Sequence, residues 1–369
     1  MDRHWKDHST SHPLPYSASI PERARGSGLV GFLLAFIVLP FLLLLAGCED
    51  ESEPVVNVYS HRHYDTDEAL FQRFSELSGI RVRVVSASAD ELIARLEREG
   101  PASPADVLIT VDAGRLHRAK ERGLLQPIES QTLNAAVPAH LRDRDGYWFG
   151  LTQRIRILAY ARDRVDPDSL TTYEELAEPE WEGRIVARTS ENIYNVSHMA
   201  SLVAALGPEA AEEWARGVVA NFARSPQGND TDQIRDVAAG VGDVALVNSY
   251  YVGRLLGSDD PEARELGRQV GIIFPNQEDR GAHVNVSGIG VTAHAPNREH
   301  AIALMEFLAG EEAQRAFAEA NFEYPVRDGT PWAPELQAWG EFRSDTLELA
   351  RLGELNNEAV QIFDRAGWR

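Results

Sequence analysis

The sequence contains a single cysteine, Cys48, among its 369 residues. One cysteine allows no intramolecular disulfide and no zinc or iron–sulfur site built from cysteines. Positive charge is also scarce, because 36 lysines and arginines face 57 aspartates and glutamates, for a formal net charge of −21. A protein that binds the phosphate backbone of nucleic acids needs a basic face. These shortages exclude a disulfide-stapled protein and argue against nucleic-acid binding.

Familiar catalytic motifs are missing as well. The chain has no Gly-x-Ser-x-Gly, no His-Glu-x-x-His, no P-loop and no Gly-x-Gly-x-x-Gly after a predicted strand. Its 43% hydrophobic and 25% charged residues are ordinary for a globular protein, and its length predicts two or three domains. A binding protein is therefore favoured over an enzyme.

The N-terminal segment has the parts of a secretory signal. Residues 29–46 (LVGFLLAFIVLPFLLLLA) are uncharged and follow Arg23 and Arg25. The run ends in LAGC at 45–48, which resembles the lipobox of bacterial lipoproteins, in which Cys48 is lipidated and becomes the mature N-terminus. We predict a signal sequence with a long leader over 1–47, or a later start codon, and an anchor linker over 48–54. A permanent transmembrane helix is the alternative, and both place the body outside the cytoplasmic membrane.

Strand and helix patterns alternate after residue 54. Apolar runs at 55–59, 81–85 and 106–111 predict strands, a helix between the first two has Leu77 on its apolar face, and Ser88 with Glu91 forms a capping box. This βαβαβ order predicts a mainly parallel sheet with helices on both faces.

A second α/β series follows a crossover. Residues 148–160 predict a strand that leaves the first lobe, runs at 184–187, 243–247 and 270–274 predict further strands, and the chain returns near 284–291 before a helix over 298–308. Two crossovers between two lobes make a hinged cleft, with ligands at the carboxyl ends of strands. We predict lobe 1 from 55–151 plus about 285–325, and lobe 2 from 152–284 plus about 326–369.

Tyrosines follow several of these predicted strands. The groups are His63 with Tyr64, then Tyr194, then Tyr250 with Tyr251. A helix that starts at the last pair would place Arg254 beside both tyrosines. Each tyrosine alone is typical of a core or interface residue, and a histidine before a helix is typical of a cap. Because the groups come from both lobes, we interpret them as converging on the cleft.

Phenol groups restrict the chemistry of such a cluster. A phenol has a pKa near 10, so phenolate forms at neutral pH only beside a strong positive charge. A trivalent metal supplies that charge and suits a hard oxygen anion. Four phenolates around Fe³⁺ leave about one negative charge, which Arg154 or Arg254 could offset from behind the ligands.

Several stretches together resemble one family. They are 56–67 (VNVYSHRHYDTD), 103–108 (SPADVL), 226–231 (PQGNDT), 248–256 (NSYYVGRLL) and 283–288 (HVNVSG). They resemble the periplasmic ferric-iron-binding proteins of bacterial iron ABC importers, particularly the Fut type, over nearly all of the mature chain. The resemblance implies an α/β, two-lobed periplasmic-binding-protein type II (transferrin-like) fold with a hinged interlobe cleft. It further implies phenolate iron ligands at Tyr64, Tyr194, Tyr250 and Tyr251, a further or conditional ligand at His63, and supporting charges at Arg154 and Arg254.

The implied function is capture of Fe³⁺ and its delivery to an ABC permease with its ATPase, without a catalytic step. The protein is expected to be a lipid-anchored monomer on the periplasmic side of the cytoplasmic membrane. The same fold with an organic or anionic solute (a polyamine, thiamine or a phosphonate) is one alternative, and an extracytoplasmic enzyme with a tyrosine-bound metal is another. The sequence leaves open whether Fe²⁺ also binds, and whether His63, water or an anion such as bicarbonate completes the shell.

Overall fold

The computed structural model describes residues 53–62 and 64–369. Its strands are β1 (Val55–Ser60), β2 (Arg81–Ser86), β3 (Val107–Val111), β4 (Phe149–Ala161), β5 (Ile185–Val186), β6 (Val244–Asn248), β7 (Val270–Ile273), β8 (Val284–Val291) and β9 (Tyr324–Pro325). They form one sheet in the order β2-β1-β3-β8-β4-β6-β5, with β7 and β9 also paired to β4. The predicted leader and Cys48 lie outside the described residues.

Helices cover the sheet in the α/β manner that the sequence predicts. They are α1 (Asp65–Ser78), α2 (Ala89–Glu99), α3 (Ala113–Glu121), α4 (Gln131–Ala136), α5 (Ile193–Leu206), α6 (Pro208–Ala220), α7 (Asp230–Ala238), α8 (Ser249–Leu256), α9 (Pro261–Gln269), α10 (Arg298–Leu308), α11 (Glu311–Asn321), α12 (Pro334–Gln337), α13 (Ala350–Glu354) and α14 (Asn356–Ala366). None of the helices in the described residues is long and apolar enough to cross a membrane.

The first part of the chain follows the predicted βαβαβ order. β1 pairs in parallel with β2 and with β3. α1 ends at Gly79, whose φ of 72° suits a glycine C-cap, and α2 begins at the predicted capping box of Ser88 and Glu91. Leu77, predicted on the core face of α1, is 57% exposed. The last turn of α1 therefore extends beyond the core.

The long strand β4 joins two halves of the sheet. Its residues 149–155 pair with β8, which also pairs with β3, and its residues 156–161 pair with β6 and β7. We call β1, β2, β3, β8, β9 and 149–155 the first half, and β5, β6, β7 and 156–161 the second half. The parallel pairing predicted from the βαβαβ order is confirmed for β1, β2 and β3, and β5 also pairs in parallel with β6. The prediction of a mainly parallel sheet is wrong for the sheet as a whole, because the strands that carry the chain between the halves run antiparallel to their neighbours.

Helices from the C-terminal part of the chain pack onto both halves. α11 packs against α1, α14 packs against α5 and α6, and α13 packs against both α3 and α5. The buried hydrophobic side chains form one continuous core through both halves. This packing fixes where each strand ends, and hence where the side chains that follow the strands lie.

A buried carboxylate ties the start of β3 to its neighbours. Asp106 is fully buried and accepts hydrogen bonds from the backbone N–H groups of Asn57 and Asn297, at 2.7 and 2.6 Å, and from both asparagine side chains. Asn57 lies on β1, and Asn297 is the N-cap of α10. One carboxylate therefore joins three elements of the first half.

Replacing Asp106 by alanine is expected to lower the free energy of unfolding by about 3 kcal/mol, because buried donors lose their acceptor. Urea unfolding of the purified protein measures this change. Asp163→Ala is the matched control, since that side chain is 73% exposed, and its effect should stay within about 0.5 kcal/mol. Equal losses in the two variants would contradict the interpretation.

Candidate metal centre

Tyr64 enters the site from the first half of the sheet. It is the N-cap residue of α1, in the turn that follows β1, and its ring is partly buried. The guanidinium carbon of Arg62 lies 4.8 Å from the centre of the Tyr64 ring. The turn therefore places a phenol at the carboxyl end of β1 with a positive charge against its face.

Tyr194 enters from the second half, in the first turn of α5. The side chain of Asn192 caps this helix and accepts a hydrogen bond from the backbone N–H of Tyr194 at 3.0 Å. The guanidinium carbons of Arg188 and Arg154 lie 5.6 and 5.8 Å from the centre of the Tyr194 ring. The cap fixes the start of the helix, and the arginines surround the phenol that it presents.

Tyr250 and Tyr251 lie in the first turn of α8, directly after β6. Their rings stack with centres 4.3 Å apart, and the two phenolic oxygens of Tyr250 and Tyr194 are 3.3 Å apart. Tyr250 is 2% exposed, and Arg154 lies 5.8 Å from its ring centre. A helix that begins where β6 ends brings both adjacent tyrosines to the same end of the sheet.

Burial is the main reason why the pKa values of three of the phenols, Tyr64, Tyr250 and Tyr251, are raised. Burial raises the pKa of Tyr250 well above its usual value, and Tyr194, Tyr64 and Tyr251 raise it further. Burial and then the Glu323 carboxylate raise the pKa of Tyr64, and the influence of Tyr194 adds to this. Burial, Tyr194 and Asp230 raise the pKa of Tyr251 to about 12. The contact between the hydroxyls of Tyr250 and Tyr194, with Arg154 beside both rings, places these phenols together.

A buried ion-pair network supports the phenols from the first half. The Glu323 carboxylate is fully buried, and it accepts from Arg62 at 3.2 Å and from Arg154 at 2.8 Å. Arg62 also pairs with Asp67 at 3.0 Å, and Arg154 donates to the hydroxyl of Ser287. Although burial alone raises the pKa of Glu323, the two arginines hold it below its usual range. Glu323 thus orients the arginine behind Tyr64 and the arginine beside Tyr194 and Tyr250.

A second network supports the phenols from the other half. Asp230 is fully buried and pairs with Arg156 at 2.9 Å and with Arg188 at 3.0 Å. It also accepts from the backbone N–H of Asn248, the N-cap residue of α8, at 2.8 Å. Arg156 donates to the side chain of Asn195 at 2.7 Å. Asp230 therefore connects the start of α8 with the helix that carries Tyr194.

The predicted site residues divide into three groups. The structure brings together Tyr64, Tyr194, Tyr250, Tyr251 and Arg154. Arg254 is exposed on α8 and has no hydrogen bond, ion pair or ring contact within the described part of the chain. His63 lies outside the described residues. The expected position of Arg254 beside both tyrosines is therefore not found, since its side chain faces solvent.

The charged residues around the site that were not predicted are Arg62, Arg156, Arg188, Asp67, Asp230 and Glu323. Arg188 closely follows β5, so the same carboxyl-end argument that singled out the tyrosines could have found it. Arg62 lies two positions before Tyr64, within a stretch already singled out. Glu323 is more than 250 positions from Arg62 along the chain, and no local pattern marks it.

Phenol side chains are the distinctive feature of this site. Across residues 53–62 and 64–369, no group of three or more histidine, cysteine or carboxylate side chains is arranged to hold a metal. Zinc and copper sites are usually built from such groups. The arrangement of phenols and arginines instead suits a small cation of high charge.

Comparison with known proteins shows the family of the chain. Residues 102–343 match the family described as bacterial extracellular solute-binding protein. Iron uptake protein A1 of Synechocystis is 48% identical over 345 residues, covering 91% of this chain and 96% of that protein. The family confirms the predictions of a binding protein rather than an enzyme and of a location outside the cytoplasm.

Solved structures show the same fold. The structure of Trichodesmium IdiA (FutA) in complex with iron and citrate ligands has a TM-score of 0.83 and 50% identity, and covers 85% of this chain and 100% of that one. The ferric binding protein from Campylobacter jejuni has a TM-score of 0.81 and 41% identity, with coverage of 85% and 100%. The predicted two-lobed periplasmic-binding-protein fold is thereby confirmed. The chain therefore belongs to the bacterial extracellular solute-binding protein family, within the group that contains the Fut iron uptake proteins and the ferric binding proteins.

Proposed function

We propose that this protein captures Fe³⁺ between its two lobes, with the phenolate oxygens of Tyr64, Tyr194, Tyr250 and Tyr251 as ligands. The observation that carries the proposal is the convergence of four phenols from both halves of the sheet among arginines. The names of the relatives, which include iron uptake and ferric binding proteins, support iron as the cargo.

Charge balance favours a trivalent ion. Four arginines (Arg62, Arg154, Arg156 and Arg188) contact three carboxylates (Asp67, Asp230 and Glu323) around the site, which leaves one positive charge in excess. A trivalent ion with four phenolates carries one negative charge. The two cancel, whereas a divalent ion would leave one uncompensated negative charge in a buried site.

Binding exchanges protons for the metal. The pKa values of Tyr64, Tyr250 and Tyr251 are all raised, so these phenols are protonated at neutral pH and must lose their protons when the ion binds. We propose His63, next to Tyr64, as a further ligand of the ion. If His63 does not bind the ion, water or an anion such as bicarbonate would complete the coordination shell.

The lobes move about the crossovers in this proposal. We assign 55–151 plus about 285–325 to lobe 1, and 152–284 plus about 326–369 to lobe 2. The pairing of β8 with β3, the packing of α11 on α1 and the packing of α14 on α5 and α6 support this division. Closure over the ion would assemble the ligands, and an ABC permease with its ATPase would separate the lobes of the monomer and take the ion.

Replacing Tyr250 by phenylalanine tests the ligand assignment. The iron-loaded wild type should show a visible phenolate-to-iron absorption band, and Tyr250→Phe should weaken that band and lower ferric affinity by more than about 100-fold, because a ligand is lost. Titration of the protein with a ferric chelate measures both. Tyr160→Phe is the matched control, since Tyr160 is a buried tyrosine near the C-terminal end of β4 and is not one of the proposed ligands. An unchanged band and affinity in Tyr250→Phe would count against the proposal, and so would a wild type that binds a polyamine or phosphonate instead.

We also propose that the mature protein begins at Cys48 and is anchored through a lipid on that residue. Intact mass spectrometry of the membrane-extracted protein should show loss of residues 1–47 and the added mass of a lipid. Cys48→Ala should carry neither change, because the thiol that accepts the lipid is absent. An uncleaved wild-type chain without lipid would identify the apolar run as a permanent transmembrane segment.

A further inference from the structure

A second polar cluster joins the first half of the sheet to α5. Asp112 follows β3 in the first half and is fully buried. One of its carboxylate oxygens accepts from the hydroxyl of Ser197, on α5, and from the side-chain amide of Asn285, on β8, at 2.7 Å. Ser197 is 2% exposed and Asn285 5% exposed. The three side chains form a buried cluster where α5 meets the first half of the sheet.

The backbone of Asp112 is strained to hold this position. Its φ is +94° with ψ of 118°, a region that residues other than glycine rarely adopt and that costs about 1–3 kcal/mol. The backbone N–H of Asp112 donates to the carbonyl of Val286 at 2.8 Å, and its other carboxylate oxygen caps α3 through the N–H of Arg115. No arginine or lysine of the described residues lies within ion-pair distance of this carboxylate. Hydrogen bonds alone hold it in place.

Both partners of Asp112 are linked to the metal centre. Ser197 lies one helical turn after Tyr194 on α5, so that it shares a face with the ligand. Asn285 is the register partner of Arg154 in the pairing of β4 with β8. α13 packs against both α3 and α5. The cluster is therefore a hydrogen-bonded contact, beside this packing, that sets where α5 lies relative to the first half.

We propose that Asp112, Ser197 and Asn285 form an interlobe latch that holds the cleft closed and slows release of the bound ion. This inference rests on the proposed function. Ser197 and Asp112 act as positioning residues, because their hydrogen bond fixes α5 and neither is among the proposed ligands of the ion. When the lobes separate, the bond from Ser197 to Asp112 breaks and water solvates the carboxylate. The latch thus adds a barrier that the transporter must overcome, while leaving the ligands unchanged.

The substitution Ser197→Ala removes the hydrogen bond from Ser197 to Asp112 and is compatible with the helical conformation of α5. The rate of iron transfer from the loaded protein to an excess of a competing chelator, followed by loss of the visible band, should rise about tenfold or more, as expected for a lost hydrogen bond to a charged group. The position of the band should not change, because the ligands are intact. Ser201→Ala is the matched control, since the Ser201 hydroxyl is buried one turn further along α5 and bonds only to the carbonyl of His198 within the same helix.

The outcomes separate the latch from the proposed function. Faster release in Ser197→Ala, with Ser201→Ala like the wild type, supports the latch. Equal release rates in all three proteins overturn it while leaving the iron assignment intact. A wild type without a visible band on loading removes the proposed function itself. Thermal unfolding of the iron-free proteins checks that both variants fold, and a purely structural role of Ser197 would lower that midpoint without changing the release rate.

Discussion

The site depends on the cost of ionising several phenols in a confined space, where the phenolates would repel one another. Tyr64, Tyr194, Tyr250 and Tyr251 cannot all ionise in a partly buried cluster unless positive charge arrives with them. Burial, and then the neighbouring negative charges, raise the pKa of Tyr64, Tyr250 and Tyr251, so these three phenols are protonated at neutral pH. A cation of high charge removes the cost in one step. The proposed preference for a trivalent ion rests on the electrostatics of the cluster as well as on the preference of hard metals for oxygen.

The two ion-pair networks fix the positions of the arginines around the phenols. Buried charges are costly unless paired and hydrogen-bonded, and a half-satisfied pair would favour rearrangement. Glu323 and Asp230 each hold two arginines, so the positive charges around the phenols cannot move independently. One network connects the first half of the sheet to β4, and the other connects β4 to α5 and α8. The phenols therefore meet in a defined geometry although they come from distant parts of the chain.

The sequence predicted the elements better than the contacts between them. Strand ends mark ligand positions in open α/β sheets, so the turn after β1 and the helix after β6 could be located from local patterns alone. Helical spacing predicted Arg254 beside Tyr250 and Tyr251, but spacing does not say which face of a helix is covered, and the Arg254 side chain is exposed. Glu323 could not be predicted, since its role comes from pairing with residues far away in sequence. Strands β4 and β8 were predicted, but their antiparallel direction was not, because strand direction depends on the path of the whole chain.

We propose that phenolic oxygens from both lobes share one ferric ion. A crystal structure of the iron-loaded protein, with diffraction data recorded at the iron absorption edge, tests this coordination. We expect a single strong anomalous peak about 2 Å from the phenolic oxygens of Tyr64, Tyr194, Tyr250 and Tyr251. A peak held by carboxylates or histidines, with two or fewer of these oxygens in contact, would contradict it.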